Sequence, residues 1–284
     1  MNKYPFLLSI ITDEISQDPE MALALAKEFG FDGIELRSVW DTPVELLPQE
    51  KMQALADRIK EFGLRVSAIA SSFMKDDWCN DDRAKFDRVV KACHVFSCKV
   101  LRGFSFWASE NYTDAAFAEY LAVYDDLLQK EGLKLMLEND PAVNLNTGNA
   151  LARFFSGHKF RNIGIMWDPG NDIYTCGDAV KPFPDEYNAV RPFVGHVHVK
   201  DAVHVNGEAK GVALGDGWMD FPGQFRALIE NGYNAWVTLE PHFRLEGEID
   251  EELLKRPGGA AFSEGGYMPS RISMERLTKM LDTL

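Results

Sequence analysis

Short apolar runs alternate with stretches whose apolar residues recur every three or four positions, and the alternation repeats eight times. Residues 7–11 read as a first strand. Met21, Leu23, Leu25, Ala26 and Phe29 then fall on a helical stripe that opens near Pro19 and closes at Gly30. Further runs of strand length lie at 33–36, 65–70, 99–103, 133–138, 163–167, 194–199 and 236–239. Between them, stripes such as Met52, Leu55, Ile59 and Phe62, or Phe117, Leu121, Tyr124 and Leu128, predict helices that stop at Gly63 and Gly132. Other helices are predicted at 148–155 and 221–230, one of unfixed extent within 177–190, and a last one at 269–284.

Strand followed by helix, eight times over, predicts a parallel α/β sheet, and eight such units close as a (β/α)8 TIM barrel of about 250 residues. No linker of domain type interrupts the pattern, so residues 1–284 read as a single domain. An open doubly wound sheet is the alternative, but no GxGxxG follows an early strand. Segment 243–268, rich in Gly and Glu, breaks the rhythm and reads as a lid over a site or as an arm between subunits.

The polar residues that punctuate the apolar runs carry the chemistry. The fifth run ends in Glu138, the sixth in Asp168, the seventh carries His198 and the eighth ends at Glu240. In a barrel the carboxyl ends of neighbouring strands converge on one rim, so these four can meet. Each alone has an ordinary explanation: a helix cap, an Asp-Pro-Gly turn, a hydrogen-bonded histidine, a rim ion pair. Four at consecutive strand ends point instead to one divalent cation. Three carboxylates and an imidazole suit Mn²⁺, Mg²⁺ or Co²⁺, and Zn²⁺ also accepts nitrogen and oxygen donors.

Composition narrows the partners. The net charge of −14 lacks the basic face that nucleic acid needs. No apolar run approaches the roughly 20 residues of a membrane span. Cys79, Cys93, Cys98 and Cys176 form no CxxC pair and read as small apolar side chains. With no signal peptide evident, they predict a reducing, cytoplasmic setting.

The runs Gly-Phe-Asp-Gly-Ile-Glu-Leu-Arg, Leu-Glu-Asn, Trp-Asp-Pro-Gly-Asn, His-Val-His-Val-Lys-Asp and Leu-Glu-Pro-His resemble the xylose isomerase-like TIM-barrel superfamily. That group holds sugar-phosphate isomerases and epimerases, ketose 3-epimerases, inosose isomerases and dehydratases, and endonuclease IV. The resemblance implies one metal ion held by Glu138, Asp168, His198 and Glu240. His198 is preferred to His196 because it stands just before Val199-Lys200-Asp201. It also implies that Glu138 and Glu240 double as catalytic acid and base.

The implied activity is isomerisation or epimerisation of a sugar or polyol through a metal-stabilised cis-enediolate, with Mn²⁺ the expected ion. A lyase or dehydratase on the same keto substrate is the runner-up, with His242 or Lys200 as the extra acid. A non-catalytic sugar-binding subunit, or a repair nuclease of the endonuclease IV kind, ranks lower. The resemblance further implies a homodimer or homotetramer. Two departures weaken the ketose 3-epimerase comparison: Gly170-Asn171-Asp172 stands where a further His is common, and Ala202-Val203-His204 where an Arg is common.

Substrate contacts are expected from Glu35, Arg102, Lys200, His242 and Trp107. Trp40, Phe73, Trp78, Phe104, Phe106, Trp107 and Trp167 are expected to offer a stacking wall for a sugar. Arg37, Lys75 and Arg102 are expected to clamp a phosphate, and the loop with Gly211, Gly215 and Gly217 is a weaker candidate for the same task.

Overall fold

The computed structural model describes residues 4–78 and 83–284. The eight runs are strands β1 (Leu7–Ile10), β2 (Gly33–Leu36), β3 (Arg65–Phe73), β4 (Val100–Gly103), β5 (Lys134–Glu138), β6 (Ile163–Trp167), β7 (Val194–Val199) and β8 (Trp236–Leu239). Every pairing between them is parallel, and β8 lies between β7 and β1. A parallel bridge from Ile11 to Glu35 brings β1 back to β2. The sheet is a nearly closed (β/α)8 barrel, which is why its strands, covered on both faces, read as continuous apolar runs.

Helices α1 (Pro19–Glu28), α2 (Gln49–Glu61), α3 (Arg83–Val95), α4 (Asp114–Glu131), α5 (Gly148–Gly157), α6 (Pro169–Cys176), α7 (Tyr187–Val190) and α8 (Phe221–Glu230) follow the strands. Several of their starts are set by side-chain caps. Asp18, Thr113 and Thr147 each accept a first-turn N–H, and Gly132 ends α4 at φ 66°. Ala68, Met136 and Met166 fill one apolar layer of the barrel interior. Beside it runs a polar column: Ser9 bonds Thr238 at 2.6 Å, and Thr238 bonds His196 at 2.7 Å.

Three stretches differ from expectation. Asp168 caps α6 through Gly170 N–H (2.9 Å) and Asn171 N–H (3.3 Å), with Pro169 in the first turn, so the Asp-Pro-Gly break is a helix start. The helix expected within 177–190 is instead a short 3-10 turn (Gly177–Ala179), a π-type turn (Pro182–Glu186) and the single turn of α7. The loop holding Gly211 is an antiparallel ribbon of Asp201–Val205 and Glu208–Val212.

Segment 243–268 contains two short helices, α9 (Glu251–Lys255) and α10 (Gly259–Ser263), before α11 (Tyr267–Asp282). It is pinned across the strand ends. Ser263 Oγ donates to Asp13 O at 2.7 Å, Gly259 N to Ser38 Oγ at 3.0 Å, and Ala260 N to Asp41 Oδ1 at 2.7 Å. Cys93, Cys98 and Cys176 are free thiols, the first two buried; Cys79 lies outside the described residues. Among the described residues no helix is long and apolar enough to cross a membrane.

Candidate metal centre and active-site cavity

β5 delivers Glu138, β6 runs into Asp168, β7 carries His198 and β8 runs into Glu240. Their donor atoms all lie within 4.8 Å of one another, and all four residues are buried. His198 Nδ1 stands 3.2 Å from Glu138 Oε1 and 3.2 Å from Glu240 Oε2. Donors on a small dication with bonds of about 2.1 Å lie about 3.0 Å apart when adjacent and about 4.2 Å when opposite. The His198–Glu138 and His198–Glu240 separations match adjacent donors, so the four residues could hold one ion. Asp168 uses Oδ1 on the α6 N–H groups, which leaves Oδ2 facing the cluster.

What surrounds the four donors fixes their orientation. His198 Nε2 lies 3.1 Å from Glu35 Oε1, so the other imidazole nitrogen is turned toward the cluster, the carboxylate–histidine arrangement of metal sites. Glu35 Oε2 is also 2.9 Å from His196 Nε2. The oxygen of each glutamate that faces away from His198 is held by a guanidinium: Glu138 Oε2 by Arg102 and Glu240 Oε1 by Arg37, both at 3.0 Å. Lys200 Nζ stands 2.8 Å from Asp168 Oδ2 and 3.4 Å from Glu240 Oε2. Arg37 is held in turn by Asp13 and Glu14.

The electrostatics describe a centre short of positive charge. Buried in and around it are Asp13, Glu14, Glu35, Glu138, Asp168 and Glu240, against Arg37, Arg102 and Lys200. Burial raises Asp168 to about 6, with repulsion from Glu240 and Glu138 adding to the effect and Lys200 opposing it. Burial would also raise Glu138 and Glu240, but nearby positive charge outweighs it: Arg102 and His198 hold Glu138 below the usual range, and Lys200, His242 and His198 hold Glu240 well below it. His198 is pushed well above its ordinary value, burial being overcome by Glu35 and Glu138.

Of these donors Glu138 and Glu240 line a cavity of about 670 Å³, a volume suited to a monosaccharide-sized ligand. Arg102, Lys200 and His242, expected at the substrate, do line it. His242 is buried, both ring nitrogens lack a hydrogen-bond partner, and burial holds it well below its ordinary pKa. Glu35 and Trp107 do not line the cavity. The expectation for Glu35 is corrected: it sits fully buried beneath His196 and His198, on the seam between β1 and β2.

The aromatic wall is also corrected. Of its proposed members only Phe104 lines the cavity; Phe73 packs on Phe86 and Tyr124, Trp78 and Phe106 on each other, and Trp167 bonds Gln224. Arg37, Lys75 and Arg102 all line the cavity, but each already faces a carboxylate. The loop N–H groups of Gly215 and Gly217 are spent on Asp201 Oδ2, at 2.8 and 3.1 Å, and do not cradle a ligand.

A family described as xylose isomerase-like TIM barrel matches residues 23–256. The chain belongs to the xylose isomerase-like TIM-barrel family. Within this family of enzymes it is similar to the inosose dehydratase of Lactiplantibacillus plantarum, 26% identical over 132 residues, which span 41% of this chain and 43% of that protein. The aligned stretch is thus less than half of the relative's length.

Two solved structures share the fold nearly end to end. The xylose isomerase domain protein from Planctomyces limnophilus matches with TM-score 0.72 and 17% identity over 99% of both chains. The 3-keto-D-glucoside 4-epimerase from E. coli matches with TM-score 0.68 and 18% identity over 98% of this chain and all of that one (100%). At such identity the likeness establishes the barrel alone. In this xylose isomerase-like barrel, Glu35 was legible as a strand-end acid, but its place under His198 depends on how β1 and β2 meet, which no residue pattern announces.

Proposed function

We propose that the protein is a divalent-metal-dependent isomerase or epimerase of a sugar or related polyol, with Mn²⁺ as its working ion. The observation that carries this reading is the cluster of Glu138, Asp168, His198 and Glu240 with the His198 ring turned toward it by Glu35. A divalent cation bound there supplies Lewis-acid polarisation of a carbonyl and its neighbouring hydroxyl.

The chain's own residues then do the rest. Glu138 and Glu240 each stand 3.2 Å from His198 Nδ1, each anchored through its outer oxygen by a guanidinium. Both are held ionised at neutral pH by the cations around them, so either is a base for the proton on the carbon beside the carbonyl. Inversion requires the opposite glutamate to take a proton from solvent and deliver it to that carbon, while the first releases the proton it abstracted; delivery of the abstracted proton to the neighbouring carbon isomerises. Arg102 and Lys200 offer N–H donors to the oxygens where negative charge develops. Segment 243–268 serves as the lid, since Leu254, Pro257 and Gly258 line the cavity from above.

A second reading is favoured by the similarity to inosose dehydratases: loss of a β-hydroxyl after the same proton abstraction. Lys200 Nζ would then protonate the departing hydroxyl, becoming neutral as water leaves. The test is incubation of Mn²⁺-loaded protein with ketoses, aldoses and keto-inositols in D₂O, followed by NMR. Deuterium at the carbon beside the carbonyl supports the reading, and its loss in Glu138→Gln or Glu240→Gln assigns the bases. Product identity separates isomerase from lyase. No exchange with metal bound sinks both.

A further inference from the structure

Carboxylates line the cavity beyond its floor as well, among them Asp41, Glu45, Asp76, Asp140 and Glu251. Seven cationic side chains line it, and six of them face a carboxylate: Arg37, Lys75, Lys85, Arg102, Lys200 and Lys255. Arg256, on the lid just after α9, has no carboxylate partner among the described residues. Its guanidinium carbon is held 5.4 Å from the centre of the Trp107 ring. Lys75 Nζ approaches the same ring at 5.7 Å, and its one acid is Asp140, at 2.7 Å. Two cations thus converge on one indole with a single carboxylate between them.

The platform is fixed. Trp107 N–H donates to Asp76 O at 2.9 Å, Asn144 Nδ2 donates to Trp107 O at 3.0 Å, and the residue bridges Val143. On the other side, Gly259 N on Ser38 and Ala260 N on Asp41 tie down the chain that carries Arg256. Like charges gathered on one ring repel unless an anion joins them, and a guanidinium stacked on an aromatic face keeps its N–H fork free for one.

We propose that Arg256, set on Trp107 beside Lys75, binds an anionic substituent of the substrate, so that the enzyme acts on acidic sugars or polyols carrying a carboxylate or phosphate remote from the reacting carbons. The proposal rests on the reading above only in taking the cavity as the substrate site. It gives the ligand a direction: carbonyl and hydroxyl toward the carboxylate cluster, anion toward the lid. Specificity follows from the same layout, because a neutral sugar offers the Arg256 guanidinium no carboxylate or phosphate to bind.

The test uses D-fructose, D-fructuronate and D-fructose 6-phosphate, which share the C2 ketone and C3 hydroxyl and differ at C6. Each is titrated calorimetrically into wild type, Arg256→Gln and Arg256→Lys, with and without Mn²⁺. Wild type is expected to bind at least one of the anions tenfold or more tighter than fructose, and the ratio of the two names the anion. Arg256→Gln is expected to erase that preference with the fructose Kd unchanged, and Arg256→Lys to keep part of it. Equal affinity for all three, no binding of either anion, or a preference that survives Arg256→Gln overturns the proposal. Loss of the preference in a protein that shows no Mn²⁺ binding would sink the metal-dependent reading and leave this one standing.

Discussion

Glu35→Gln isolates the role of a residue that does not line the cavity and reaches the cluster only through His198. The substitution keeps volume and leaves one oxygen to accept from a ring N–H, so no cavity opens in the fully buried site. It removes the charge that holds two imidazoles, at 2.9 Å for His196 and 3.1 Å for His198. A hydrogen bond to a charged group contributes about 1.5–3 kcal/mol and a neutral one about 0.5–1.5 kcal/mol. The difference, about 1–1.5 kcal/mol at His198, is about tenfold in the ring's hold on its orientation, and loss of charge beside a dication adds to it. Outer partners of this kind typically change metal affinity by about 10–100-fold. Mn²⁺ titration of wild type and Glu35→Gln, followed by calorimetry, should show a Kd raised within that range. Circular dichroism melts of both proteins establish that the fold persists. A Kd within about twofold of wild type, against the tenfold floor expected for such partners, would refute the argument and mean that β7 alone sets the His198 ring.

The other predictions concern the frame around Asp168. Asp172 is buried and accepts from Gly148 N at 3.1 Å, beside Glu186, which accepts from Asn149 N at 2.7 Å; burial and Glu186 push its carboxyl well above the ordinary value. An acid raised on folding contributes most below its unfolded pKa of about 3.9 and loses that contribution as pH rises through the folded value. Asp172→Asn should therefore melt higher than wild type at pH 8, with the gap closing toward pH 4; a gap that does not change with pH would count against the paired acids. Gly170→Ala would place a Cβ 2.5 Å from Lys200 O, between α6 and the end of β7. The expected cost is about 1–3 kcal/mol, read as a lower melting temperature together with weaker Mn²⁺ binding, since Asp168 caps the same helix; unchanged values for both would show that the contact relaxes freely.

The barrel was legible because its signal is redundant: eight buried runs, each covered on both faces, and helices marked by Gly30, Gly63 and Gly132 at their ends. The four-residue cluster was legible for a related reason, since parallel strands of similar length must end at one rim whatever their exact register. Features that depend on register or on long-range packing were not legible. The aromatic residues near the strand ends read as a wall, yet Phe73, Phe106 and Trp167 point into the packing between sheet and helices, because a strand-end residue's face depends on the local bulge. The start of α6 could have been found: Asp168 followed by Pro169 is a cap and a first-turn proline, and the same pair opens α1 at Asp18 and Pro19. Reading Asp168 as a cap does not exclude reading it as a ligand, because Oδ1 takes the α6 N–H groups and Oδ2 is left on the side of the cluster.

That division of labour recurs at every member of the cluster. Glu138 and Glu240 each give one oxygen to a guanidinium and keep the other beside His198; His198 gives one nitrogen to Glu35 and keeps the other for the cluster. Three of the four donors are thus held from behind by a partner from elsewhere in the barrel, Glu35 from β2, Arg102 from β4 and Arg37 from the loop after β2, while Asp168 is held by the first turn of its own helix α6. Those three partners come from the half of the barrel that supplies none of the donors. Closing the ring between β1 and β2 completes the surroundings of the cluster: Arg102 reaches Glu138 from the neighbouring β4 in any case, but an open sheet with the same strand ends would leave His198 and Glu240 without Glu35 and Arg37.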